Sequence, residues 1–463
     1  MKLERLHLKN FRCFDDLTLE FGKRLTVIIA ENGAGKTALL DAIAIGFGRY
    51  LTKLPGIAGR TAKETDLRVS SGERREPFML LAWEARTYED KPIVWALGRR
   101  RDAAVTAATI RQQLAESQRA LLARGLKEVD EFTLSLVQAE ADQRAYLLPI
   151  IAYYGTNRAI REEVQRRRGF KKNFSRFDAL AGALDPDSRF RSAFEWFNAM
   201  EDVERREREA RRDFDYRHPE LQTVRTAIER LLPGHKNPRT EIRPLRFVID
   251  KIMPDGQMRT LRVSQLSDGY RVVLGLTMDL ARRMAQANSR LAPQGNQIVN
   301  PLDLPAIALI DEVDLHLHPS WQQRIVTDLM QTFTNTQFIL TTHSPQVLST
   351  VKRENIRILG ADSTGRMVAQ PPLSMTRGVS SADLLARIMN VDPVPDVPEA
   401  RMLADYQALI QQNLHDHDDG QALRAQLVKH FGADHPVMRE CDRLIRLQGF
   451  KQRLPQTHRS AEG

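Results

Sequence analysis

The run Ala30-Glu31-Asn32-Gly33-Ala34-Gly35-Lys36-Thr37 has the residue types and spacing of a loop that cradles phosphate. Gly33 and Gly35 adopt backbone conformations closed to other residues and let amide groups approach an anion; Lys36 reaches the β- and γ-phosphates, and the Thr37 hydroxyl suits Mg²⁺. Far downstream, Ile307-Ala308-Leu309-Ile310-Asp311-Glu312 carries two adjacent carboxylates at the end of an apolar run. Asp311 suits Mg²⁺ binding, while Glu312 can polarise a water for attack on the γ-phosphate. His343 closes another apolar run, Phe338-Ile339-Leu340-Thr341-Thr342, where a neutral imidazole can hydrogen-bond the γ-phosphate or its attacking water. The expected chemistry is hydrolysis of ATP, with Glu312 and His343 catalytic and Thr37 and Asp311 on the metal.

These groups need a common frame. Leu25-Thr26-Val27-Ile28-Ile29 reads as a buried strand and Ala38 to Phe47 as a helix, so the amides of Asn32 through Ala38, including Ala34, open a helix N-terminus toward the anion. Ala30 replaces the first glycine of the pattern, a minor departure if its φ is negative. The runs before Asp311 and His343 are likewise too apolar to be exposed strands, which predicts an α/β fold with Asp311 and His343 at one sheet edge. Asp314, just beyond the acid pair in Asp314-Leu315-His316-Leu317-His318-Pro319, sits where a second subunit could meet it.

A third element, Leu266-Ser267-Asp268-Gly269, completes a recognisable set. Phosphate loop, Leu-Ser-x-Gly signature, Asp-Glu pair and switch histidine together resemble the ABC-type ATPase heads of the RecF and SMC class, over residues 1 to about 350. The resemblance implies an α/β P-loop head using ATP and Mg²⁺, in which Ser267 and Gly269 of one subunit cap nucleotide held by another, so that the unit is at least a dimer. It also places Arg12, in Asn10-Phe11-Arg12-Cys13-Phe14, near the nucleotide. Where those heads carry a glutamine on Mg²⁺ after the strand ending at Tyr154, this chain offers Asn157 or Arg158.

Ile150-Ile151-Ala152-Tyr153-Tyr154-Gly155-Thr156-Asn157-Arg158, the paired histidines before Pro319, and the tail Leu444 to Phe450 look like the PtuA-type ATPases of bacterial Septu and retron-linked anti-phage systems. That resemblance implies a separate HNH nuclease, PtuB-like and encoded nearby, as partner. The alternative is a stand-alone RecF- or SMC-like DNA-repair or DNA-binding ATPase. After His343 there is no Asp-x-Asp carboxylate set with enough chain for a nuclease domain, so no nuclease activity is expected in this chain.

Composition agrees. The 463 residues suffice for a large core, no apolar run approaches the ~20 residues a membrane span needs, and the chain opens on a strand-like Leu3-Glu4-Arg5-Leu6-His7-Leu8 with no signal peptide. Cys13 and Cys441, far apart, form neither a disulfide framework nor a metal cluster, and the cytoplasm is the expected compartment. A net charge of +10 permits contact with DNA or RNA, for which Arg166 to Arg176, mixing cations with aromatics, is the first candidate and Arg99-Arg100-Arg101 the second.

The expected organisation is a head over 1–375 with helical insertions at about 102–147 and 177–232, then a C-terminal helical segment, 376–463, as a candidate dock for a partner. Alternating acids and bases from Glu201 to Arg212 predict an exposed or coiled-coil-like helix. Leu245 to Asp250 and Met258 to Val263 predict a hairpin around Pro254-Asp255-Gly256. Pro398 to Leu414, Gly420 to Phe431 and Pro436 to Gln448 read as amphipathic helices.

Overall fold

Five-residue apolar runs at Leu25–Ile29, Ile150–Tyr154, Ala306–Ile310 and Gln337–Thr341 become strands buried at every position, as strands of a parallel sheet covered on both faces must be. The structure is a computed structural model that describes residues 1–70, 75–158, 174–187, 190–288 and 299–453. In chain order its strands are β1 (Lys2–Phe11), β2 (Phe14–Glu20), β3 (Leu25–Ile29), β4 (Phe78–Arg86), β5 (Pro92–Arg100), β6 (Ile150–Tyr154) and β7 (His235–Ile242). They continue as β8 (Leu245–Ile252), β9 (Met258–Arg262), β10 (Ala306–Ile310), β11 (Gln337–Thr341), β12 (Ile356–Ala361) and β13 (Met367–Gln370).

The six-stranded sheet has the order β13-β12-β3-β11-β10-β6. All its neighbours run parallel except β13, which returns antiparallel on β12. Because only β11 separates β3 from β10, the phosphate loop after β3, the acid pair after β10 and His343 after β11 emerge at the same carboxyl edge, where open α/β sheets bind ligands. An antiparallel sheet, β2-β1-β4-β5, packs on the helix Lys36–Thr52 that follows the loop. Trp83 and Trp95, stacked 5.8 Å apart, each donate an indole N–H to a carbonyl of that helix, Ala42 at 3.2 Å and Gly46 at 3.0 Å. The predicted hairpin is β8-β9, and β7 adds a third strand to it.

The insertions are helical, with Ala107–Gln113, Glu116–Arg124 and Lys127–Ala141 in the first and Phe190–Arg211 and Pro219–Leu231 in the second. The charge pattern predicts an exposed or coiled-coil-like helix over Glu201 to Arg212, and the helix Phe190–Arg211 is largely exposed there except at two acids. Glu201 and Glu204 are 5 % and 2 % exposed. Arg225 donates to both at 3.0–3.1 Å, the Thr240 N–H donates to Glu201 at 2.9 Å and the His218 N–H to Glu204 at 2.8 Å. Two acids in a solvated-looking pattern therefore join this helix to its neighbour and to β7, because buried carboxylates are tolerated where donors meet them.

The chain forms two compact units, Met1–Met389 and Asn390–Gly463. The division falls later than 375/376 because the helix Ser381–Arg387 belongs to the first: Leu384 and Ile388, 1 % and 6 % exposed, join the main core. The second unit has the helices Pro398–Gln411, Asp418–Phe431 and Pro436–Arg453 around a core of its own, Tyr406, Ile410, Leu427, Met438 and Cys441. Of the basic run 166–176, only Phe174, Ser175 and Arg176 are among the described residues. In the second candidate patch Arg99 donates to the Ala62 carbonyl at 2.9 Å, and Arg101 to Asp102 at 2.7 Å and the Arg75 carbonyl at 2.9 Å. Two of its three guanidiniums are thus engaged within the chain. Among the described residues no helix is long and apolar enough to cross a membrane.

Candidate functional site

The phosphate loop has the backbone its glycines imply. Gly33 and Gly35 have φ of 81° and 99°, whereas Ala30 is not among the residues of positive φ, so the substitution at the first position of the pattern is harmless. At Gly35 space is also short: a Cβ would lie 2.4 Å from Cys13 Sγ and 2.7 Å from Phe14 Cζ. Gly35 is the N-cap of the helix Lys36–Thr52, which places the amides from Asn32 to Ala38 at the positive end of the helix dipole. Lys36, 8 % exposed, donates to the carbonyls of Ala30 at 2.9 Å and Glu31 at 3.1 Å. Burial lowers its ammonium pKa, against the pull of Asp311 and Glu312.

Thr37 and Asp311, widely separated in sequence, meet: the Thr37 hydroxyl donates to Asp311 Oδ2 at 2.8 Å. The other oxygen of Asp311 accepts from the Thr341 hydroxyl at 2.5 Å. A hydroxyl and a carboxylate side by side beneath a phosphate loop are the donor set that Mg²⁺ takes when substrate phosphates complete its shell. Among the described residues no group of three or more His, Cys, Asp or Glu could hold a metal alone.

Glu312 is treated differently from its neighbour. Its N–H donates to the Thr341 hydroxyl at 2.7 Å, and its carbonyl accepts from Leu315 N–H at 2.9 Å and from Arg158 Nη2 at 2.5 Å. Its backbone is thus fixed, at a φ of 48°, while among the described residues no donor occupies its carboxylate. A fixed backbone with an uncommitted carboxylate suits a residue that must meet a water. Asp314 accepts from the Thr342 hydroxyl. His343 lies two residues past the end of β11 and is half-buried.

Arg12 lies in the β1-β2 turn with a φ of 49°. It donates to Asp66 at 2.9 Å and to Asp41, on the phosphate-loop helix, at 2.7 Å; Arg60 reaches the same Asp41 at 2.9 Å. Burial works against the Arg12 charge, but the two carboxylates more than offset it and raise its pKa. Nothing local marks these partners, since Asp41 and Asp66 are unremarkable where they stand in the chain.

The signature lies at the start of the helix Asp268–Asn288, with Ser267 exposed and Gly269 buried. A Cβ at Gly269 would lie 2.7 Å from the His316 carbonyl, so the loop after the acid pair packs directly on the signature. Ser267, Gly269, His316, His318 and Arg324 line one cavity of about 510 Å³. The helix is anchored to the sheet beneath by a buried cluster: Asp279 accepts from Tyr154 at 3.0 Å, Arg282 at 2.9 Å and Arg283 at 2.6 Å. Of the two residues expected after β6, Arg158 is the one found on the acid pair, through main-chain oxygens.

Sheet order, phosphate loop and acid pair define a P-loop ATPase head. Comparison with known proteins agrees: the AAA domain family matches residues 5–234, and a second, described as AAA domain, putative AbiEii toxin, Type IV TA system, matches residues 158–349. The chain is 27 % identical to the "Retron Ec83 probable ATPase" of Escherichia coli, over 95 % of this chain and 86 % of that protein. It is 26 % identical to the "Retron Vc95 probable ATPase" of Vibrio cholerae, over 90 % and 85 %, and 31 % identical to Septu protein PtuA of Bacillus mycoides over 30 % of this chain and 18 % of that one. The chain is an ATPase related to the retron ATPases and to PtuA.

Proposed function

We propose that this chain is the ATP-binding and ATP-hydrolysing component of an anti-phage defence system, acting in an assembly that regulates a separate HNH nuclease. The observation that carries the chemistry is the contact of Thr37, at the end of the phosphate loop, with Asp311, whose neighbour Glu312 is held through its N–H by Thr341. The near full-length likeness to two retron ATPases supports the defence setting. Bound Mg²⁺ would neutralise phosphate charge between Thr37 and Asp311. Lys36 and the loop amides hold the β- and γ-phosphates, Asp311 is oriented by the hydroxyls of Thr37 and Thr341, and Glu312 takes the proton of the attacking water while His343 orients it. Ser267 and Gly269 serve the nucleotide of a second copy.

Glu312→Gln should retain ATP binding and lose turnover by ~10²-fold or more, whereas Lys36→Ala should bind ATP poorly. Undiminished hydrolysis by Glu312→Gln removes the glutamate from the mechanism. For the partner, the HNH protein encoded beside this gene should co-purify with the ATPase and lose its effect on phage growth when Glu312→Gln replaces the wild type. Protection that survives without any such nuclease would favour an ATPase acting alone.

A further inference from the structure

Among the described residues Arg158 is a buried cation held without a carboxylate. It is 3 % exposed, and its guanidinium ends on main-chain oxygens: Nη1 donates to Gly155 O at 2.9 Å and Asp311 O at 2.5 Å, and Nη2 donates to Glu312 O at 2.5 Å. Burial brings its pKa down to about 10, although the nearby charges of Asp311, Asp314 and Glu312 favour the cation. It is therefore protonated at neutral pH. A cation in so buried a place is costly unless its hydrogen bonds are good, which asks what the fold gains from it.

The answer lies in the backbone it holds. Glu312 has a left-handed φ of 48°, a conformation that crowds any side chain with a Cβ and persists only where surrounding bonds enforce it. Thr341 fixes the amide before Glu312, and Arg158 with Leu315 fixes the carbonyl after it. The fork is specific, because one planar group bridges the carbonyls of both members of the acid pair; an ammonium has the charge but not that geometry.

We propose that Arg158 is a positioning residue for ATP hydrolysis: its guanidinium clamps the carbonyls of Asp311 and Glu312 and so holds the Glu312 carboxylate in line with the attacking water. The inference rests on Glu312 acting as the general base. Arg158 is buried and its Nη groups end on main-chain oxygens, so its loss should leave ATP binding intact and slow the chemical step, by about 10²-fold if the carboxylate moves by an ångström. It should do so only while Glu312 is present to be misplaced.

The experiment compares Arg158→Ala, Arg158→Lys, Glu312→Gln and the double variants by melting temperature, affinity for a non-hydrolysable ATP analogue, and kcat. Both Arg158 variants should fold and bind the analogue within a few-fold of wild type with kcat greatly reduced. Either one combined with Glu312→Gln should be no slower than Glu312→Gln alone. Near-normal kcat in either folded variant overturns the proposal, and so do losses that multiply in the double variants. If Arg158→Ala fails to fold, Arg158→Lys carries the comparison. Full turnover by Glu312→Gln instead withdraws the general base itself, an outcome distinct from the failure of the clamp.

Discussion

At the scale of single residues, Gly35 shows two constraints acting at one position. Its φ of 99° belongs to the left-handed side of the map, and the site of its absent Cβ is taken by Cys13 Sγ at 2.4 Å and Phe14 Cζ at 2.7 Å. Gly35→Ala should weaken ATP binding severely and destabilise the head by about 1–3 kcal/mol, the range for overpacking. The two constraints can be separated. Adding Cys13→Ala should recover part of the lost melting temperature but little of the ATP affinity, because trimming the neighbour relieves contact and leaves the backbone conformation disfavoured. If the pair binds ATP like wild type, contact alone explains the glycine. The phosphate loop, the acid pair and the signature were legible in the sequence because each is local, a few adjacent residues whose types declare their chemistry. The partners of Arg12 and the clamp of Arg158 were not, because Asp41, Asp66 and two main-chain carbonyls become relevant only when the chain brings them there.

Among the elements, the same distinction separates strands. Buried parallel strands such as β3 and β10 announce themselves as apolar runs. The sequence His235–Ile242, with Pro238 and several charges, carries no such run, and it pairs on β8 with a register shift between Lys236 and Arg239. Likewise β12 and β13 at the opposite sheet edge are only partly buried. What holds the signature helix is also hidden from the sequence. Asp279 reads as one acid in a helix, yet it is 2 % exposed and meets Tyr154, Arg282 and Arg283. Burial disfavours its charge, but the two guanidiniums prevail and hold its carboxyl at about 2 against the ordinary 3.8. Since the folded value lies below the unfolded one, this stabilisation is present above pH ~4 and is lost as pH falls toward 2. Asp279→Asn leaves two buried cations uncompensated and should cost about 3–5 kcal/mol at neutral pH. Chemical denaturation across pH should show the gap between wild type and variant closing below pH ~4; a gap constant down to pH 2 would assign the loss to packing.

For the whole molecule, the two compact units differ in what they can do alone. The first holds every residue of the proposed site, and the second holds a small core in which Tyr406 and Ile410 are fully buried. Tyr406 and Ile410 of the helix Pro398–Gln411 are thus spent on that core, and the exposed apolar side chains of the unit include Val394 at 54 % and Phe450 at 63 %. A chain ending at Met389 should therefore fold and bind ATP, and a failure to bind would make the second unit part of the nucleotide site. If the second unit docks the nuclease, the same truncation abolishes co-purification and phage protection; retained binding moves the dock to the helical insertions. The remaining question is how many copies make one site. Ser267 opens onto a cavity shared with His316, His318 and Arg324, none of which belongs to the phosphate loop or its helix. The exposed signature is thus available to another subunit. Lys36→Ala spoils the loop of one subunit and Ser267→Arg the signature of the other, so a dimer mixed from the two retains one site in which both halves are intact. Each variant alone should be inactive, and an equimolar mixture should recover up to about a quarter of wild-type turnover, since half the dimers are mixed and each has one of two sites working. A mixture that stays inactive, although each variant pairs normally with wild type, would mean that signature and loop act within the same chain.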